Sequence, residues 1–178
     1  VTVILNKGAL KDSELNVETT PIKYGQPLSE AITKMETSDS DSEGKDNGTW
    51  IIRKEDGSIV KEDDVLDAGT YPLTFSYYSD KASDYESGSI TKTVEVNPRT
   101  ITITSEGKTK EYDGEELKNE KVTLSGDGVY GSDNISATNF SSLKNVGKED
   151  NKFEIVYAAG TNSKNYEISP VYGSLEVT

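Results

Sequence analysis

Cysteine and histidine are both absent from the 178 residues of this chain. Without cysteine there is no disulfide, no thiolate nucleophile, and no zinc ribbon or iron–sulfur cluster. Without histidine the chain lacks the commonest general base, the Ser-His-Asp triad and the usual ligands of catalytic zinc. These absences argue against an enzyme, and we expect neither catalytic residues nor a cofactor.

Basic residues and apolar residues are both scarce. Lys and Arg number 19 against 32 Asp and Glu, a net charge of −13, and such a surface repels phosphate backbones, so we expect no nucleic-acid partner. Hydrophobic residues make up 32% and no apolar run approaches the ~18 residues of a membrane span, so we expect no membrane insertion of this segment. Because the chain opens directly on Val1-Thr-Val-Ile-Leu5, we expect it to be a segment of a longer protein.

The chain is instead rich in segments where apolar and polar residues alternate with a period of two, the pattern of half-buried β-strands. The clearest alternation occurs at 71–78, 100–104, 153–157 and 171–177. Clusters of Asn, Asp, Gly and Ser separate these segments and supply turns. We therefore predict an all-β (mostly β) fold, built from small β-sandwich or β-grasp-like domains.

One stretch has helical spacing instead. Leu28, Ala31, Ile32 and Met35 recur at i, i+3, i+4 and i+7, with Pro27 just before them. This spacing predicts one short helix near residues 28–35. The alternative is a β-strand at 31–35, because short apolar runs fit both structures.

The sequence also repeats itself. The residues Tyr85, Ile90 and Val96 match Tyr166, Val171 and Val177 at one constant offset, and Tyr24 and Leu28 match Tyr112 and Leu117. The repeat places a boundary at Asn97-Pro98-Arg99 and predicts two tandem domains, 1–98 and 99–178. Because this linker is short and proline restricts its backbone, we expect the domains to be arranged end to end.

Ordered motifs accompany the repeat. The second half contains Lys110-Glu-Tyr-Asp-Gly114, Asn145-Val-Gly147 and Gly173-Ser-Leu-Glu-Val177, and the first half contains Tyr24-Gly25, Ala68-Gly-Thr-Tyr71 and Tyr85. In this order the motifs resemble the YDG and MBG-type repeat domains of bacterial cell-surface proteins and adhesins, from which the first half departs by an acidic insertion at 39–46. The resemblance implies mostly β domains that occur in tandem on exported bacterial proteins, act as stalks or adhesive modules, and have no catalytic residues.

The acidic insertion is the one candidate metal site. Asp39, Asp41 and Glu43 stand at positions 1, 3 and 5 of an EF-hand-like calcium loop, with Gly44 at position 6. Position 12, where a bidentate glutamate is needed, is Trp50. The favoured interpretation is a solvated acidic loop, because like charges repel one another, and we expect no bound metal.

Aromatic residues supply the candidate ligand contacts. Trp50, Tyr71, Tyr77, Tyr78 and Tyr85 are possible members of a sugar-stacking surface. Tyrosines at alternate strand positions are more often half-buried, with the hydroxyl at the edge of the core. Tyr78 faces away from Tyr77 in the alternation, so we predict that it is the exposed aromatic residue and the candidate ligand contact.

These observations favour a non-enzymatic extracellular module of a bacterial surface protein, on the cell surface or secreted, that acts in cell adhesion or as a stalk or spacer. The alternative is a non-catalytic carbohydrate-binding appendage of a secreted glycosidase. A catalytic carboxylate pair is not expected, because the acidic run Glu62-Asp63-Asp64 is consecutive and does not face itself across a cleft. The expected partners are neighbouring repeat domains of the same chain and a host or cell-surface protein or glycan.

Overall fold

The structure is a computed structural model that describes residues 8–9, 15–37, 48–79 and 85–178, with only the backbone at 8–9 and 85–86. These residues are mostly β-strand, so the prediction of an all-β fold is confirmed. The chain divides into two compact units, Val1–Asn97 (unit 1) and Pro98–Thr178 (unit 2). The sequence places the same boundary one residue later, after Pro98.

Unit 1 is built around one five-stranded sheet. Its strands within the described residues are β1 (Gly8–Ala9), β2 (Leu15–Thr19), β3 (Ile22–Lys23), β4 (Ile32–Thr37), β5 (Thr49–Arg53), β6 (Ile59–Val60), β7 (Gly69–Tyr78), β8 (Tyr85–Glu86) and β9 (Gly88–Asn97). The main sheet has the order β3-β9-β7-β5-β6, and β2–β4 and β1–β8 form two further pairs. The long strands β7 and β9 are antiparallel neighbours within it.

The core of unit 1 lies on one face of this sheet. Leu73 and Phe75 of β7 are fully buried, whereas Thr74 between them is only partly buried. This is the period of two predicted at 71–78, because successive side chains of a strand point to opposite faces. Leu28 and Val17 belong to the same buried cluster, so the residues around β2 and the helix complete the core.

The helical segment is shorter than its spacing predicts. Helix α1 spans Leu28–Ala31, and Ile32 already has an extended backbone, so a helix reaching Met35 is wrong. Strand β4 (Ile32–Thr37) follows at once and pairs antiparallel with β2, Met35 lying opposite Val17. The alternative strand is therefore right from residue 32 onward. The physical reason is the pairing of β4 with β2. This contact joins residues that are distant in sequence, so the local i, i+3, i+4 spacing does not reflect it.

Unit 2 has shorter strands and smaller sheets. Its strands are β10 (Arg99–Ser105), β11 (Lys108–Lys110), β12 (Leu117–Lys118), β13 (Val122–Gly126), β14 (Ile135–Thr138), β15 (Ser142–Leu143), β16 (Gly147–Asp150), β17 (Glu154–Tyr157), β18 (Tyr166–Val171) and β19 (Ser174–Val177). One turn of 3₁₀ helix lies at Ser163–Asn165. The three-stranded sheets are β13-β10-β18 and β11-β19-β16, and β12–β15 and β14–β17 are separate pairs.

The first strands of unit 2 run parallel to its last strands. β10 pairs with β18 from Arg99 opposite Tyr166 onward, and β11 pairs with β19 as far as Lys110 opposite Val177. The sequence separation between partners, 67 residues, is the same in both ladders. Because all four strands keep one register, the two ladders continue each other from one sheet into the next.

The alternation of apolar and polar residues at 171–177 predicts one strand, but the chain passes from one sheet to the other within this segment. The segment 171–177 is split, because β18 ends at Val171 and β19 begins at Ser174. Between them, Gly173 lies so close to the neighbouring backbone that a Cβ built on it would be 2.5 Å from the nitrogen of Gly107. Val171 is 46% exposed, whereas Leu175 is fully buried.

Part of the strand pairing is common to the two units and is the structural counterpart of the sequence repeat. In unit 1 Gly69 lies opposite Val96, and in unit 2 the matching Gly147 lies opposite Val177. Leu28 and its match Leu117 are both buried. Corresponding residues therefore hold corresponding places in two separate cores.

A backbone hydrogen bond at the repeated tyrosine shows the same correspondence. The N–H of Tyr24 donates to the carbonyl of Asn97 at 2.8 Å, and the N–H of Tyr112 donates to the carbonyl of Thr178 at 2.8 Å. In each unit, the tyrosine that begins the repeated motif is thus joined to the residue directly after the last buried valine.

Candidate functional site

Tyr78, the candidate ligand contact, is the last residue of β7 and lies opposite Thr49 of β5. Its side chain is 44% exposed. Tyr77 points to the other face, where it is buried, packs its ring 5.1 Å from that of Trp50, and accepts a hydrogen bond from the N–H of Gly48 at 3.1 Å. The strand alternation therefore leaves Tyr78 available to a ligand and commits Tyr77 to the core.

Tyr71, at the start of the same strand, is engaged in contacts within unit 1. Its hydroxyl donates to the carbonyl of Asp67 at 2.8 Å, and Lys54 Nζ lies 5.7 Å from the ring centroid, within the range of a cation–π contact. Partial burial, followed by the charge of Asp67, raises the pKa of Tyr71. The side chain of Tyr85 lies outside the described residues. Among the candidate aromatics whose side chains are described, Tyr78 alone is exposed.

Beside this region, unit 1 has a shallow groove of about 200 Å³. Trp50 and Ile59 contribute to its walls. Ile59 belongs to the edge strand β6 and is 59% exposed, which is high for an apolar side chain. Sequence reasoning missed this surface, since β6 has only two residues and too little alternation to be recognised. At about 200 Å³ the groove is smaller than the ~300–1,000 Å³ that is typical of small-molecule pockets.

Unit 2 carries an aromatic cluster that sequence reasoning also missed. The ring centroid of Phe153 lies 5.8 Å from that of Phe140 and 5.3 Å from that of Tyr172. Phe153 is buried and Tyr172 is 38% exposed, so the cluster extends from the core to the surface. Asn139 precedes Phe140 with a positive φ of 50°, a turn conformation that asparagine tolerates. In the sequence, the Asn139-Phe140 pair indicates a turn, but no local pattern predicts that Phe140 lies beside Phe153.

The acidic insertion lies outside the described residues, so the candidate calcium ligands Asp39, Asp41 and Glu43 are not placed by the structure, and the expectation of no bound metal stays a prediction. Within the ranges that the structure describes, no group of three or more His, Cys, Asp or Glu side chains is arranged to hold a metal ion. The expectation of a solvated acidic loop therefore stays a prediction, based on the repulsion between its like charges and on Trp50 at position 12.

The acidic run Glu62-Asp63-Asp64 forms a turn that holds the start of helix α1. The carboxylate of Asp64 accepts from the N–H of Lys61 at 2.8 Å. The carbonyls of Asp64 and Glu62 accept from the N–H groups of Leu28 and Ser29, at 2.9 and 2.7 Å. These bonds satisfy donors of the first helical turn, which have no partner inside the helix.

The Tyr-Asp-Gly motif of unit 2 also forms a turn. Lys110 Nζ contacts the carboxylate of Asp113, which accepts a second hydrogen bond from the N–H of Glu115 at 2.9 Å. The hydrogen bond from Lys110, followed by that from Glu115, lowers the pKa of Asp113 below its usual range. Gly114 follows with a positive φ of 81°, which favours glycine. The Asp and Gly of the motif are thus explained by turn geometry.

No family model, curated protein or solved structure matches the chain. The resemblance to YDG and MBG-type repeats therefore rests on the motifs themselves. Across the described ranges, no helix has the length and apolar character needed to cross a membrane.

Proposed function

We propose that this chain is a non-enzymatic, extracellular pair of modules from a bacterial surface protein, in which it acts in adhesion as a spacer between other domains. The observation that carries the proposal is the duplication, since two consecutive units pair a repeated glycine with a repeated valine of the last strand, Gly69 with Val96 and Gly147 with Val177. Consecutive copies of one folded unit lengthen a protein by a fixed increment per copy, and this is what a stalk requires.

The course of the chain through unit 2 also supports a spacer. Because β10 and β18 are parallel, as are β11 and β19, the chain enters beside Tyr166 and leaves beside Lys110. At about 3.3 Å per residue, the eleven steps from Arg99 to Lys110 extend up to about 35 Å along the ladder. A unit whose two termini lie at opposite ends of a ladder adds length when it is placed in a chain.

The charge is compatible with an extended, solvated array. Unit 1 with its linker proline has 19 acidic and 10 basic residues, and the remainder has 13 and 9, so both halves are net negative. Like net charge opposes association between copies. It also keeps such a surface soluble outside the cell.

A spacer assay tests the proposal directly. An epitope would be displayed on a bacterial surface on one, two or three copies of the 178-residue chain. Matched controls would carry Gly/Ser-rich linkers with equal numbers of residues, whose mean length grows only as about the square root of residue number. We expect capture of the epitope by a bulky probe to rise with each copy and to exceed that of the linker controls. Equal capture for both series would contradict the spacer function.

A carbohydrate-binding appendage is the second candidate, and the exposed ring of Tyr78 favours it. A glycan array probed with the full chain separates the two functions. A pure spacer binds no glycan, whereas an appendage binds a glycan and loses that binding in Tyr78→Ala. Tyr112→Ala is the matched control, because Tyr112 is also exposed, at 55% against 44% for Tyr78, but lies in unit 2.

A further inference from the structure

Additional hydrogen bonds reinforce the parallel ladder of unit 2 at its far end and at the passage between its two sheets. At the far end, the N–H of Tyr112 donates to the carbonyl of Thr178, and the N–H of Thr178 donates to the carbonyl of Lys110 at 3.0 Å. These bonds continue the ladder of β11 and β19 beyond the last paired residues. Hydrogen bonds between the first and the last strands therefore extend from Arg99 at one end of the ladder to Thr178 at the other.

The passage between the two sheets is bridged by buried hydrogen bonds. The N–H of Gly173 donates to the carbonyl of Ser105 at 3.0 Å, and the N–H of Asn151 donates to the carbonyl of Gly173 at 2.7 Å. The hydroxyl of Ser105 donates to the carbonyl of Asn151 at 2.6 Å. Ser105 and Asn151 are buried, so water does not readily replace these bonds. These hydrogen bonds therefore connect the first and last strands in the segment between β10 and β11 as well.

The parallel direction of these strands determines how unit 2 is loaded when its two ends are pulled apart. In a parallel pair, the start of the first strand and the end of the last strand lie at opposite ends of the ladder. A force that pulls on both ends of unit 2 therefore slides β10–β11 along β18–β19. The inter-strand hydrogen bonds lie across this force, so they share it and must break together.

We propose that unit 2 is a force-bearing module, in which the parallel ladder between its first strands, β10–β11, and its last strands, β18–β19, is a shear clamp. The proposal deepens the proposed function, because a spacer in a surface adhesin carries tension between its anchor and its bound target. Forced unfolding is governed by the unfolding rate, so a clamp of this kind slows mechanical unfolding without requiring high equilibrium stability.

Unit 2 contains its own control geometry. β16 and β19 are antiparallel, with Gly147 opposite Val177, so Val146 and Thr178 leave this pair at the same end. Pulling these two residues apart peels the strands one residue pair at a time, and only the first pair carries load. The same strand β19 is thus loaded in shear from one attachment point and peeled from another.

Single-molecule pulling on the full chain tests the clamp, and the absence of native cysteine allows thiol attachment at chosen positions. The shear variant carries Asn97→Cys and a cysteine added after Thr178, and the peeling variant carries Val146→Cys and the same added cysteine. Asn97 is exposed and Val146 is 67% exposed, so neither substitution disturbs a core. Lys144→Cys, also exposed, is a second peeling attachment.

At equal pulling speed, we expect the unfolding force in the shear geometry to be several-fold higher than in either peeling geometry. Equal or lower force in shear would overturn the clamp. The outcome is separable from that of the spacer assay. Low force in all geometries together with increasing epitope reach overturns the clamp and leaves the spacer, whereas high shear force without increased reach does the reverse.

Discussion

The side-chain amide of Asn151 donates to the carbonyl of Glu106 at 2.9 Å and, with its second hydrogen, to the carbonyl of Asn119 at 2.7 Å. Asn151 is fully buried, and its backbone carbonyl accepts a hydrogen bond from the hydroxyl of Ser105. One side chain thus ties together three segments that are distant in sequence, at the point where the chain passes between the two sheets of unit 2.

We expect Asn151→Ala to lower the free energy of unfolding of unit 2. Two hydrogen bonds are lost and their carbonyl partners are left without this donor, so the cost should be about 1–3 kcal/mol. Urea denaturation followed by circular dichroism measures it. The exposed Lys144→Ala is the control and should stay within about 0.5 kcal/mol of the parent. An equally small effect of Asn151→Ala would show that the three segments do not depend on this amide.

Gly173→Ala should be poorly tolerated for steric reasons. A Cβ at this position would lie 2.5 Å from the carbonyl oxygen of Ser105 and 2.6 Å from the carbonyl carbon of Glu106, both backbone atoms that cannot rotate away. We expect a loss of about 3 kcal/mol, at the upper end for overpacking. Gly160→Ala meets no atom within 4 Å and carries only the strain of its positive φ, about 1 kcal/mol. Thermal melts of both variants compare these costs, and similar losses would contradict the close packing.

The two units should unfold independently, because each has its own buried cluster. Leu28 belongs to the core of unit 1 and Leu117 to that of unit 2. Either leucine replaced by alanine should cost about 2–5 kcal/mol, and only in its own unit. Proteolysis or hydrogen exchange resolved along the chain reports which unit opens. A fragment spanning 98–178 should also give a cooperative melt, and a disordered spectrum from it would refute independent folding.

Part of the stability of unit 2 should depend on the ionisation of Asp113. Its folded pKa lies below the ordinary value of 3.8, so the folded state binds fewer protons than the unfolded state between these two pKa values. The stabilisation is therefore present above the unfolded pKa and is lost as the pH falls through the folded pKa.

We expect Asp113→Asn to be less stable than the parent at neutral pH, and we expect this difference to shrink as the pH falls below the ordinary carboxyl pKa of 3.8. Chemical denaturation across this pH range measures the difference. Asp150→Asn, an exposed substitution of the same chemistry, controls for the removal of one negative charge. A difference between Asp113→Asn and the parent that does not change with pH would contradict the role of the Lys110–Asp113 contact.

The predicted exposure of Tyr78 and burial of Tyr77 agree with the structure because both follow from the local geometry of one strand. Alternate side chains point to opposite faces whatever the strand packs against, so Leu73 and Phe75 are recognisable as core from the sequence. The Phe140, Phe153 and Tyr172 cluster was not predictable in this way, since its rings come from three segments between strands that only the fold brings together.

The sequence by itself determined the β character, the duplication and the place where one unit gives way to the next, because alternation, turn residues and repeated motifs are local signals. Only the tertiary structure decided that α1 ends at Ala31, since β4 must pair with β2, and that 171–177 is two strands, since Gly173 passes beside Gly107. It also decided that the first and last strands of unit 2 are parallel. Strand direction and partner choice depend on residues far apart in the chain, and a period of two is the same in either direction.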